Sequence, residues 1–236
     1  MSTRTGALIA TLALLAVGGM VGCGGGESEE GEGPEASSES TIPSSLRAVE
    51  SGAEDTIDLI LAGDRQQAVE AAKGLDEAAH GEAASDLASA GVPAATIDQL
   101  RSRAADAAAI AEEGEPVAVA LAANRVLALV PGFFTAYSDP VPPDVLRLDY
   151  LDFELKLEAL AGNRPKAAAA GRSLEQTWNG LRGQVVDAGG ESEAQSFSDH
   201  VDSVESLLMG GSDQELADEA QHGLDLVDEL ERVYSG

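Results

Sequence analysis

Three imidazoles, His80, His200 and His222, are all the chain can bring to histidine chemistry. Two of them close a Glu-x-x-His, in Glu77-Ala78-Ala79-His80 and Glu219-Ala220-Gln221-His222. On a helix, residues three apart share a face, so each pair offers a carboxylate and an imidazole to one ion. Two such pairs, joined by glutamates from two further helices, build a di-metal site inside a bundle, and Glu154 and Glu158 are available for that part. This is the alternative reading: a metal- or cofactor-binding bundle working through its Glu-x-x-His pairs. The helix faces oppose it. The apolar stripe beside His80 runs Ala68, Ala72, Leu75, Ala79, with Glu77 and Lys73 on the other side. Beside His222 it runs Leu216, Ala220, Gly223, Val227, Leu230, with Glu215, Glu219 and Glu229 on the polar face. Both pairs are therefore expected on solvated faces, and no metal ligand or cofactor is assigned.

Other chemistry is thinner. The chain has no Cys-x-x-Cys-His, no Gly-x-Ser-x-Gly and no phosphate-binding glycine loop. Its one cysteine, Cys23, lies close to the N-terminus, so the body holds no thiol nucleophile. No catalytic residue is assigned, and the chain is read as a non-enzyme. Asp149-Tyr150-Leu151-Asp152-Phe153-Glu154 is dense in acids and aromatics and is the first place to look for a ligand.

Composition limits the partners. Acidic residues number 42 against 14 basic ones, a formal charge of -28. That field repels phosphate backbones, which argues against nucleic acid. Hydrophobic residues reach 44% but aromatics only 3%, so the core must be built from small side chains and close helix packing. All the aromatics follow residue 130, which predicts a larger, better-filled core in the second half and close alanine packing in the first.

The N-terminus reads as an export signal. Arg4 supplies a positive start, Ala7 to Val17 is apolar and uncharged, and small residues follow. The apolar run is shorter than the roughly 20 residues of a spanning helix. Met20-Val21-Gly22-Cys23 resembles the lipobox of bacterial lipoproteins, with methionine where leucine is usual. The resemblance implies a diacylglyceryl group (palmitate-type acyl chains) on the Cys23 thiol, cleavage before that residue and acylation of the new amine. Two or three acyl chains hold a protein firmly on a membrane where one does not. Gly24 follows, not the aspartate that the family uses for inner-membrane retention, which favours an outer membrane where the cell has one. Residues 1–22 are then signal peptide. Residues 23–42 are a lipidated Gly/Ser/Glu tether, too polar to fold.

From about Ser44 onward the chain reads as helix, rich in alanine, leucine, glutamate and glutamine. Breaks are expected at Gly63-Asp64, Gly91-Val92-Pro93, Gly114-Glu115-Pro116, Pro131-Gly132, Ser138 to Asp144, Gly162-Asn163, Gly189-Gly190 and Gly210-Gly211-Ser212. Asp64 with Gln67 and Ser212 with Glu215 have capping-box spacing. The breaks repeat at an offset of 99 residues: Leu61-Ala62-Gly63-Asp64-Arg65 falls on Leu160-Ala161-Gly162-Asn163-Arg164. The same offset pairs Gly91 with Gly190, Ala118 with Ala217 and Leu127 with Leu226. The expected fold is all-α, about eight helices in two tandem duplicated four-helix units, 43–138 and 139–236. The expected role is a membrane-anchored binding or structural module of the cell envelope, facing outside the cytoplasm, with an envelope protein or a small ligand as partner.

Overall fold

Helix formers punctuated by glycine and proline set the path of the chain. The structure is a computed structural model that describes residues 41–235, and every regular element in that range is a helix. Cys23, the expected signal and the expected tether as far as residue 40 lie outside the described residues; Ile42, expected at the end of the tether, is buried in the first core, so that boundary is corrected. The helices are α1 (Ser44–Leu61), α2 (Arg65–His80), α3 (Glu82–Ser89), α4 (Ala94–Ala111), α5 (Pro116–Leu127), α6 (Val130–Phe134), α7 (Pro143–Leu160), α8 (Arg164–Asp187), α9 (Glu191–Gly210) and α10 (Asp213–Ser235). Eight are long; α3 and α6 are short pieces of 8 and 5 residues.

Most of the expected punctuation operates as predicted. Gly63 and Gly162 take up positive φ, +85° and +69°, which a side chain resists, and end α1 and α7. Asp64 accepts the Gln67 N–H at 3.2 Å, and Ser212 and Glu215 exchange capping hydrogen bonds at 2.8 and 3.2 Å. Two places differ. Pro143 and Asp144 belong to the first turn of α7, because proline lacks the N–H that this turn leaves unused. Gly81, unpredicted as a break, separates α2 from α3.

The packing scheme occurs twice. In the first unit α1 packs on α2 and α5, and α4 closes the ring against the same two helices. In the second, α7 packs on α8 and α10, and α9 closes against both. α1 and α7 correspond residue for residue at an offset of 99. The offset does not persist. After Gly81 buried Ala83 and Leu87 match buried Leu181 and Val185, an offset of 98. Past the next turn Ile97, Leu100, Ala104 and Ala107 match Ala194, Phe197, Val201 and Val204, an offset of 97. The pairings expected at 99 are thereby corrected: positive-φ Gly91 matches Gly189, Ala120 matches Ala217, and Leu127 matches Leu224. The second unit is two residues shorter, one at Gly81 and one in the following turn.

An arginine staple marks both copies. Arg65 at the start of α2 donates to Ala111 O at 2.9 Å, at the end of α4. Arg164 at the start of α8 donates to Leu208 O at 3.3 Å and Gly211 O at 3.0 Å, and pairs with Asp213 at 2.8 Å. A helix end leaves its last carbonyls without intrahelical donors, and the guanidinium supplies them.

The described helices belong to one compact unit. Phe153 and Leu157 of α7 and Leu224 of α10 are buried in the first core. That core also takes Phe133 and Phe134, while Trp178 and Phe197 fill the second. The expectation of a larger, better-filled core in the second half is therefore corrected: the first core keeps its buried alanines, and α6 and α7 bring it aromatics from beyond residue 130.

Candidate functional site

α7 carries the densest polar chemistry into the interior. Asp152 sits on its buried side, fully enclosed, and faces His200 of α9. His200 Nε2 lies 3.1 Å from Asp152 Oδ1, and His200 Nδ1 lies 2.8 Å from Glu219 Oε1 on α10. The His200 side chain is fully buried; Glu219 is 21% exposed and forms the rim toward solvent. His222, exposed on α10, stands edge-on to His200 with ring centroids 6.3 Å apart. On the inner side Phe197 contacts His200 at 5.2 Å, and Trp178 contacts Phe197 at 4.7 Å. Asp152 Oδ2 is buried without a hydrogen-bond partner.

Gly223 makes the cluster possible. A Cβ there would overlap His200 Nε2 and Asp152 Oδ2, so any larger residue would push α10 away from α7 and α9. Burial pushes the Asp152 carboxyl up, against the opposing pull of the His200 imidazole. For His200 burial works downward, but Asp152 and Glu219 together outweigh it and raise the imidazole above its usual range. Asp152 and His200 therefore each keep a proton at higher pH than they would in water.

The Glu-x-x-His pairs do not meet. Glu77 is exposed, and exposed His80 pairs with Asp76 at 3.1 Å instead. Glu219 is engaged by His200, so its place on a wholly solvated face is corrected: it lies at the border between stripe and solvent. Glu154 accepts from Asn124 Nδ2 at 2.9 Å, and buried Glu158 takes Lys166 at 2.9 Å. No three His, Cys, Asp or Glu among the described residues are arranged to hold a metal ion.

Two further features lie outside this cluster. Glu50 and Glu54 of α1, Asp149 of α7 and Glu231 of α10 are half-buried; burial raises all four, and Glu231 lies close enough to raise the other three further. Burial first, then mutual repulsion, pushes Glu50 up to about 7 and Glu54 up to about 8. The second feature is a pocket of about 460 Å³ between the Gly91-Val92-Pro93 turn and α6, with Phe133 in its wall and Arg147 contributed by α7. None of the described residues that line it is acidic, in a chain with 42 acids. In the second unit the matching space is filled: a Cβ on Gly190 would stand 2.9 Å from a Val233 methyl, where the first unit has Ala136.

No motif in the sequence marks His200. Its partners lie 48 and 19 residues away, a separation no short motif records. A helix-face count on α9 holds the signal, since Ala194, Phe197, Val201 and Val204 form the stripe and His200 falls within it. The chain matches no protein-family model, no curated protein and no solved structure.

Proposed function

We propose that this chain is a lipid-anchored helical module of the bacterial cell envelope, held at a membrane surface through Cys23, whose body binds a small ligand or an envelope protein and turns over no substrate. The observation that carries the reading is the order of Arg4, an uncharged apolar run and Met20-Val21-Gly22-Cys23, with Cys23 the only cysteine in the chain. Three things support it. A Gly/Ser/Glu stretch separates that cysteine from the first helix, as a surface tether requires. The charge of -28 keeps the body soluble and away from anionic headgroups and nucleic acid. The pocket beside Phe133 gives a small, largely apolar ligand a place to enter, with Arg147, which is paired with Asp144 at 2.8 Å, in its wall. With Gly24 after the cysteine, the outer membrane is the favoured surface in a cell that has one.

Intact mass of the mature protein from its native membrane tests the anchor, read beside a Cys23→Ser variant. The expected mass corresponds to cleavage before Cys23 plus acyl chains, with the variant left unprocessed or released. An unlipidated mass, or a variant that fractionates like the wild type, would overturn the proposal.

A further inference from the structure

The duplicated architecture supplies an internal control for the buried cluster. At the matching positions the first unit has Ala53 for Asp152, Ala122 for Glu219 and Val126 for Gly223, all buried. His200 corresponds to Arg103, whose guanidinium donates to Arg125 O at 2.5 Å. The same four-helix closure is thus reached without any buried acid or imidazole. An enclosed carboxylate is costly unless it is paired, and the second unit incurs that cost in a place where its twin uses alanine.

The contacts also fix a proton count. A neutral imidazole has one N–H and one lone pair, so it can donate to only one neighbour. Both ring nitrogens of His200 face carboxyl oxygens, at 3.1 and 2.8 Å. The arrangement holds only with a second proton, either on the ring, which then donates to both sides, or on one carboxyl. Without it a lone pair faces a carboxylate oxygen at hydrogen-bonding distance, and that contact becomes repulsive.

We propose that Asp152, His200 and Glu219 form a proton-operated latch, which ties α10 to α7 and α9 while it holds its extra proton and lets Glu219 swing out to solvent when that proton leaves. The charged groups around His200 are consistent with one release step. α7 presents Asp152, with Asp149 close enough to repel it one turn before and Lys156, which is held by Gln221 at 2.6 Å, one turn further. α10 presents Glu219 and His222, while on α9 itself Asp199 takes the Gln195 amide on the exposed side. α8 presents Trp178 behind Phe197. Glu219 moves because it alone of the three reaches solvent; Asp152 and His200 are enclosed. Release belongs on the alkaline side of the ordinary imidazole range, and protonation restores the closed arrangement.

Trp178 is the only tryptophan and reads the site through Phe197. The mature chain is titrated between about pH 6 and about pH 10 by Trp178 emission, by histidine NMR and by hydrogen exchange in α10. The wild type is expected to show one step in Trp178 emission, coincident with the His200 resonance, with exchange around Glu219 rising roughly tenfold. Glu219→Gln removes a carboxylate that retains the proton, so the step moves to lower pH; His200→Gln abolishes it. Glu54→Gln, in the acidic crevice beyond Asp149, leaves it in place. A flat wild-type titration, a step that survives unchanged in His200→Gln, or one that follows Glu54 and ignores Glu219 would overturn the latch. Should His200→Gln fail to fold, the exposed-rim variant Glu219→Gln decides alone, and an unmoved step overturns it.

Discussion

Gly223 is a hydrogen atom where its counterpart Val126 has an isopropyl group, and the difference decides what each unit can hold at its centre. Gly223→Ala is expected to destabilise by about 1–3 kcal/mol, because the added carbon meets two side chains that have no space to retreat. Urea unfolding checks it: the midpoint falls while the slope stays the same. The reverse exchange in the first unit, Val126→Gly, removes buried carbons instead and leaves a cavity. At this scale the sequence was half legible. The apolar stripe through Leu216, Ala220 and Gly223 is buried as its spacing requires. His200 escaped because its three-way contact joins residues from α7, α9 and α10, and only tertiary packing brings them together.

Among the elements, the arginine staple explains why Leu-Ala-Gly-Asp/Asn-Arg recurs. Glycine turns the chain at positive φ, and the arginine that opens the next helix reaches across to the carbonyl end of a third. Arg164 serves more acceptors than Arg65 and also pairs with Asp213. Arg164→Ala is therefore expected to cost more than Arg65→Ala, by about 1–2 kcal/mol, in thermal or urea unfolding of the two variants side by side. Helix number and most helix ends were legible because glycine, proline and capping residues act locally. The register of the duplication was legible only through α2. Two single-residue losses leave the periodicity of each helix intact, so nothing in the pattern signals them. Burial does, through matched pairs such as Leu100 with Phe197 and Val119 with Leu216.

For the whole molecule, the dominant electrostatic feature is the burial, and then the repulsion, of carboxyls where α1, α7 and α10 bring Glu50, Glu54, Asp149 and Glu231 together. All four carboxyls are raised in the folded protein, so the native state binds more protons than the unfolded chain between the ordinary carboxylate range and about 8. Stability is fully present below that range and is lost as pH rises through it. Urea midpoints are expected to fall from about pH 5 to about pH 8, and added salt should soften the fall. Glu54→Gln removes the carboxyl raised to about 8, so the variant is expected to be the more stable protein at alkaline pH and to show a shallower pH dependence. A steeper dependence in the variant would mean that Glu54 is not part of the mutually repelling group. Net charge was legible from composition, but its focusing onto one crevice depends on how the helices meet.

The exchange of large and small residues between the copies has a consequence for how the chain reaches this state. Neighbouring repeats with one topology invite helices to pair with the wrong copy during folding. Here such a swap is penalised on contact. α5 placed in the slot of α10 would bring Val126 against Asp152 and His200, where only Gly223 fits. α8 placed in the slot of α2 would bring Trp178 to a position shaped for Ala79. Divergence of the two cores thus labels each helix with its own partner set, so that a chain made of near-copies still has one way to close.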